Sequence, residues 1–463
     1  MQNRPWVENL SMNSHKTTQE QFNKIIEFRQ RLYRDIFTAR RDSQFELVEA
    51  LLSKGKVASF PWLSTAGCFQ RRWPSLYDAI EAGGQDVNRL RALLLEQVPE
   101  VGVQFWSLDK TAWPRPQART LAEREYVYQP GSNLKGKPVV AGYAYSLLDW
   151  VPTADESWSL SVDVERVKGG ATDLSVGVEQ VQRMCQGRAG LAGLDIVVGD
   201  CKYSQPAFLR GLQEQPCAKV ARLAKHRVLY GRPEPKATQG AGRPRKHGRR
   251  FAFKEPDSWG EPVEVKQLPD PQWGLVELRR WPDLHGKLAA DVEFDVIQAH
   301  VHLERDQPPP PLWLLWLPPA HMPATVEVDL ETMWRSYTYR WPIEPGTRFR
   351  KQGLNWTLPQ FHTPEAGDRW SYLVCLAFWQ LYLARPLVQD LPLPWQPRQS
   401  TLTPNRVRQG MSDIFEQIGR PTRPPQTRGY SPGWPTGKPR QRRQRFKVVK
   451  KTTTSSKSTQ KAA

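Results

Sequence analysis

The sequence predicts an α/β protein: a β-β-β-α-β core preceded by helices, interrupted by a β-rich insertion and followed by a basic, disordered tail. Three observations predict it. Apolar residues recur at helical spacing before residue 100, they alternate or run continuously from Val101, and acidic residues cease after Glu416. At 463 residues the chain exceeds what one compact core usually holds, so appended or inserted modules are expected.

Residues 1–100 read as a helical N-terminal region. Gln21 to Leu52 carries Phe22, Ile25, Ile26, Leu32, Ile36, Phe37 and Leu47 at helical spacing, with Arg and Lys on the other faces. Asp86 to Val98 repeats the pattern with Leu90, Leu93, Leu94 and Leu95. Residues 101–224 hold the first part of the core. Val101 to Leu108 is a short apolar strand ending at Asp109, and Pro138 to Leu148 is β-rich. Ser157 to Val167 alternates cleanly through Trp158, Leu160, Val162 and Val164. An amphipathic helix, Asp173 to Cys185, follows, with Asp173 placed to cap it. Leu194 to Val198 is a buried-type strand leading to Gly199-Asp200.

Residues 225–325 read as a β-rich basic insertion, with a Gly/Pro loop at Gly240 to Arg250 and Trp-bearing strands at Gly274 to Trp281 and Val292 to Arg305. The Pro308 to Pro311 run closes it. Residues 326–390 supply the second part of the core, helical at Leu330 to Lys351 and at Trp370 to Leu387. Residues 391–463 form a basic C-terminal region whose tail lacks the apolar residues to fold alone.

A net charge of +19 points to a polyanionic partner, because Lys and Arg that neutralise phosphates release condensed counterions. DNA is the expected partner, and the helices of residues 1–100 serve either to bind it or to brace the core. None of the five cysteines forms a C-x-x-C pair, which argues against a structural zinc site and a disulfide framework. A reducing, cytoplasmic setting fits. Met1 to Leu10 has no signal-peptide layout, and Leu312 to Leu317 is too short to span a bilayer, so no membrane is expected.

Two-metal phosphoryl transfer needs about three carboxylates from distant parts of a chain, converging on cations roughly 3.5–4 Å apart. Mg²⁺ takes hard oxygen ligands, so Asp and Glu suffice. In a β-β-β-α-β arrangement Asp109 and Asp200 leave paired strands side by side, and a third carboxylate should come from a helix downstream. Asp163, with Glu165 two residues on, is the rival for the first position; Asp109 is preferred because Asp109-Lys110-Thr111 ends an apolar strand.

Tyr337, Arg340, Glu344 and Lys351 fit the spacing Y-(2)-R-(3)-E-(6)-K without a gap. The segment resembles the signature of bacterial insertion-sequence transposases with a DDE triad. The resemblance covers about residues 100 to 390. It implies a ribonuclease-H-like catalytic core in which Glu344 is the third metal ligand beside Asp109 and Asp200. Tyr337, Arg340 and Lys351 would contact phosphates of the transposon end. It implies two Mg²⁺ ions, with Mn²⁺ able to substitute. It also implies transposon-end and target DNA as partners, and a homodimer in the synaptic complex near the nucleoid. On a continuous helix these four residues would lie within about 60° of one another. Pro342, Pro345 and Gly346 interrupt that helix, so it is either kinked or restarted near Glu344.

Other groups are candidates for DNA. The loop residues Arg243, Arg245 and Lys246 resemble a G-R-P minor-groove hook, against a plain solvated loop as the alternative. Trp259, Trp273, Trp281, Trp313 and Trp316 lie where related transposases stack a flipped base, although most of them suit a core. His300 and His302 share a strand face, with nothing spaced to complete a metal site. Lys438 to Lys451 is a basic arm. The expected activity is metal-dependent cleavage at transposon ends followed by strand transfer. The alternatives are a restriction- or repair-type nuclease using Asp200-Cys201-Lys202, and a domesticated transposase that only binds DNA.

Overall fold

A computed structural model describes residues 5–131, 137–234, 245–270, 273–302, 310–322, 328–426 and 433–449. Arg243 and the end of the Val292–Arg305 stretch lie outside the described residues.

The N-terminal region is helical, but not as one run to Leu52. Helix α1 (Pro5–Arg31) passes into a π-turn at Leu32–Ile36, and a short strand β1 (Phe37–Ala39) separates it from α2 (Arg41–Ser53). Arg40, at φ 52°, makes the reversal. α3 (Pro74–Glu81), β2 (Gly84–Gln85) and α4 (Val87–Leu95) follow, with β2 pairing antiparallel to β1.

The core strands are β3 (Val103–Pro114), β4 (Glu125–Tyr128), β5 (Val139–Val151) and β6 (Leu160–Arg166). Helix α5 (Asp173–Gly187), β7 (Leu194–Gly199), α6 (Pro206–Leu212) and β8 (Cys217–Leu223) complete this part. Two expectations are corrected. β3 does not end at Asp109 but runs five residues past it to Pro114, because it continues to pair with β5 from Lys110↔Ser146 to Pro114↔Gly142. The cap of α5 is Thr172, whose hydroxyl accepts from the Ser175 N–H in a reciprocal capping box, and Asp173 is the first helical residue.

Strands β9 (Val228–Tyr230), β10 (Arg250–Ala252), β11 (Glu264–Asp270), β12 (Gly274–Gly286), β13 (Ala289–His302) and β14 (Leu312–Leu317) extend the same sheet. Among the described residues it has twelve strands, in the order β10-β9-β12-β13-β14-β8-β7-β3-β5-β4, with β11 on β12 and β6 on β5. β3, β7 and β8 run parallel and the remaining pairs antiparallel. The β-rich stretch therefore continues the central sheet through β14 and β8.

Alternation assigns the two faces. On β7, Leu194, Ile196 and Val198 pack with Leu330, Met333, Trp334 and Tyr337 of α7 (Leu330–Thr338). Val197 points the other way, into the larger core shared with the N-terminal helices. α8 (Ile343–Gln352) and α9 (Pro364–Ala384) follow, then α10 (Pro404–Gln409) and α11 (Met411–Ile418). α9 is buried along nearly its whole length, and burying such a helix inside the larger cluster is a major source of cohesion. The described end of the chain is extended and lies beside β4, where Val449 forms a parallel bridge with Glu125.

The helix carrying the signature is not continuous. α7 ends at Thr338, and successive i→i+3 bonds from Tyr339, Arg340 and Trp341 to Ser336, Tyr337 and Thr338 tighten the chain into a turn. α8 restarts after Pro342. Proline is tolerated there because the first turn of a helix has no partner for its N–H in any case.

Candidate active site

Leu108 of β3 pairs in parallel register with Gly199 of β7. The next residue on each chain is an aspartate, Asp109 and Asp200, so the two carboxylates emerge side by side. Both share parity with residues of the α7-facing side, Phe105 on β3 and Val198 on β7. The link between α7 and α8 is pinned to β3 by Tyr339, whose ring stacks on Phe105 at 3.6 Å. Glu344 then stands in the first turn of α8 and accepts from Arg340 Nη1 at 3.1 Å.

The electrostatics tie these groups together. Burial pushes the Asp109 carboxyl up to about 6; the Lys110 N–H and Arg340 oppose this, while the charges of Asp200 and Glu344 add to it. Arg340 is in turn held protonated by Tyr337, Asp109, Glu344 and Asp200, against the cost of its burial. Its buried Nε has no hydrogen-bond partner among the described residues. Three carboxylates from β3, the end of β7 and α8 thus act on one another, with one guanidinium among them.

Among the described residues no group of three or more His, Cys, Asp or Glu stands close enough together to hold a metal ion. The donor chemistry fits hard divalent cations, and the raised Asp109 marks a place short of positive charge.

The other signature residues are placed differently. Tyr337 is 7% exposed and belongs to the apolar cluster under α7. Its phenol is made harder to ionise by burial, against the pull of Arg340 and Arg222. Lys351 donates to the Ala112 carbonyl at 2.9 Å, and burial lowers its pKa. Asp163 is occupied elsewhere: it accepts from Arg91, Arg183 and Tyr372. Arg245 and Lys246 are exposed beside β10, which β9 joins to the sheet. β9 is five strand positions from β7, about 24 Å along the sheet, so these residues are not brought to the carboxylates. Trp259, Trp281 and Trp313 pack against Phe251 and Phe253 as an aromatic core. Trp316 is buried and Trp273 packs on the same sheet. The rings of His300 and His302 lie 4.6 Å apart.

Sequence reasoning missed two neighbours of the site. Asp173 bonds both Lys110, at 3.0 Å, and Lys202. The available signal was that a lysine follows each aspartate within two residues. Tyr203 is buried, its hydroxyl has no partner among the described residues, and burial first, then Asp109, Asp173 and Asp200, make it harder to ionise. Nothing in the sequence pattern marks it.

No helix of the described residues is long and apolar enough to cross a membrane. No curated protein matches the chain. A family model described as DDE superfamily endonuclease matches residues 31–280, more than half of the chain, and this span includes both Asp109 and Asp200. The chain belongs to the DDE superfamily endonuclease family.

Proposed function

We propose that this protein is a DDE transposase with a ribonuclease-H-like catalytic core, cutting DNA at transposon ends and joining the freed ends to target DNA. The observation that carries the reading is the side-by-side emergence of Asp109 and Asp200 from paired strands, with Asp200 and Glu344 both acting on a half-buried Asp109. The strand order β6-β5-β3-β7-β8, with three antiparallel strands and then two parallel additions, supports the core assignment.

Asp109, Asp200 and Glu344 would hold two Mg²⁺ ions, or Mn²⁺ in their place. When bound, such ions supply Lewis-acid stabilisation of the attacking and leaving oxygens. Arg340 would meet the scissile phosphate with its guanidinium, a charge-assisted contact. Lys351 would fix the edge of β3 through Ala112 and lend its charge to the backbone beyond. Tyr337 would orient Arg340 from the apolar side. Arg245 and Lys246 would touch DNA away from the chemistry, and synapsis of two ends would require at least a homodimer. Residues 101–224 and 326–390 would form the catalytic core, with 225–325 inserted and 1–100 and 391–463 flanking. The lysine of the rival Asp200-Cys201-Lys202 nuclease motif is bonded to Asp173, which disfavours that reading.

The test is strand cleavage of the DNA flanking the gene, with Mg²⁺, by wild type and Glu344→Gln. Nicking at a fixed position by wild type, with binding but no cutting by the variant, supports the triad. Equal cutting by both removes Glu344 from it. Cutting without any joining to a second DNA favours a plain nuclease.

A further inference from the structure

The described tail from Gly433 to Val449 has no helix and no carboxylate, yet it is fixed in place. Its first part is folded by Trp434, whose indole donates to the Lys438 carbonyl at 2.6 Å while its ring faces Arg440. Its last part is bonded to the segment between β3 and β4. The Phe446 N–H donates to the Arg119 carbonyl at 2.9 Å, and the Val449 N–H to the Arg124 carbonyl at 2.7 Å. Arg124 is buried, and its guanidinium donates to the carbonyls of Leu121, Arg115, Pro116 and Phe446. One buried cation thus ties the tail to the stretch that follows β3, the strand of Asp109.

Between these anchors stand Lys438, Arg440, Arg442, Arg443, Arg445 and Lys447, all exposed. Among the described residues none of the six takes part in an ion pair, whereas many cations elsewhere do. The nearby acid Glu123 is taken by Arg166. The strip also points somewhere. Val449 reaches Gly169, its Cγ1 3.8 Å from where a Cβ would stand. Gly169 lies in the turn that leads into α5, whose first residue Asp173 holds Lys110 and Lys202 beside Asp109 and Asp200. Exposed Arg119 and Lys168 flank the path.

We propose that residues 438–447 form a docked cationic rail for the phosphate backbone of duplex DNA. In this role the rail leads the duplex toward the carboxylates from the β4 edge. This rests on the reading of DNA as the substrate, and it adds a fixed position to what a free basic arm would contribute as mere charge. Arg443, Arg445 and Lys447 stand at every second position of the strip, so charge recurs along it at short, regular intervals. A pre-ordered strip also loses less conformational entropy on binding than a free tail.

The experiment is equilibrium binding of the full chain to a labelled duplex in EDTA across a range of KCl, with hydroxyl-radical footprinting of the complex. Two variants are compared with wild type. One replaces all six cations by Gln. The other, Val449→Pro, keeps every charge but removes the N–H that anchors the tail. The six-fold variant should lower the slope of log K against log salt by about 0.9 for each phosphate it no longer neutralises, four or so in all. Val449→Pro should keep much of the affinity but lose protection over one stretch of the wild-type footprint. A wild-type slope for the six-fold variant overturns the rail. A wild-type footprint for Val449→Pro overturns its docking. Because no cleavage is read, either failure leaves the endonuclease reading intact, whereas a wild type that binds no duplex would sink that reading instead.

Discussion

Lys110 and Asp173 meet at 3.0 Å across the junction of β3 and α5, and Lys202 reaches the same carboxylate from the end of β7. The consequence is electrostatic. Each lysine sits within two residues of a candidate metal ligand, Asp109 or Asp200, and would be its natural counter-ion if released. Asp173 is itself held below the usual carboxylate range by the two lysines, despite its burial. By engaging both ammonium groups it competes with Asp109 and Asp200 for them. Asp173→Asn should therefore weaken divalent-cation binding by about 10–100-fold, the usual cost of removing an outer partner of a metal site. Mn²⁺ titration followed by electron paramagnetic resonance measures this without DNA. Combining Asp173→Asn with Lys110→Met and Lys202→Met should restore affinity. If the triple variant binds no better than Asp173→Asn alone, the lysines are not the cause.

The raised Asp109 gives a pH signature with a definite sign. Its folded-state pKa is about 6, against 3.8 as the ordinary value. Between those pH values the folded protein holds a proton that the unfolded chain has released, so stability falls as pH rises through the window and is level above it. Asp109→Asn, which keeps the shape without the charge, should stabilise the metal-free protein at pH 7.5 by about 1–2 kcal/mol, after discounting for partial exposure. The gain should vanish near pH 4. Urea unfolding at both values, in EDTA, checks it; a variant less stable than wild type at pH 7.5 would contradict the shift. Added Mg²⁺ should stabilise wild type and leave Asp109→Asn nearly unmoved.

Which of these features the sequence carries depends on whether they are local. The register that sets Asp109 beside Asp200 follows from two apolar strands, each leading to an aspartate, and such strands are visible as short stretches rich in aliphatic and aromatic residues. Glu344 is found by its spacing from Tyr337, Arg340 and Lys351. The spacing does not tell that Tyr337 faces an apolar cluster or that Lys351 is spent on the Ala112 carbonyl, because both depend on which sheet face α7 and α8 cover. β3 was legible only to Asp109, since hydrophobicity drops there while backbone pairing with β5 goes on. The grip of Asp173 on two lysines is a tertiary contact between three elements, and no periodicity encodes it.

α8 carries Glu344 and is fastened from below by a buried ion pair. Arg350 and Asp149 are both fully buried, with Arg350 Nη2 at 2.6 Å from Asp149 Oδ2. Ser159 and Ser161 donate to the same carboxylate at 2.8 and 2.5 Å. Every oxygen is thus satisfied, and removing one partner strands a charge. Arg350→Met should cost about 3–5 kcal/mol of stability, the range for breaking a buried pair from one side. Arg350→Met with Asp149→Leu should recover part of the loss. Thermal and urea unfolding of the three proteins decides it, and a single variant within 1 kcal/mol of wild type, about the worth of one ordinary hydrogen bond, would exclude the pair as a fastening.

A close constraint on the position of Glu344 lies two residues beyond it. A Cβ at Gly346 would fall 2.3 Å from Ser159 Oγ and 3.3 Å from Ser159 Cβ. Alanine is the better helix former by about 1 kcal/mol, so on local grounds Gly346→Ala would stabilise α8. The clash opposes this, because the Ser159 hydroxyl cannot leave without abandoning Asp149. Overpacking of this kind costs about 1–3 kcal/mol, and we expect it to win. Relief by a shift of α8 would carry Glu344 away from Asp109, so cleavage should fall by more than the lost stability explains. Ser159→Ala removes the colliding oxygen and sacrifices one hydrogen bond, worth about 1 kcal/mol. The double variant Gly346→Ala, Ser159→Ala should therefore be more stable and more active than Gly346→Ala alone. Urea unfolding beside a single-turnover cleavage assay measures both quantities. If Gly346→Ala is as active as wild type, the close approach of α8 to β6 does not set the position of the glutamate.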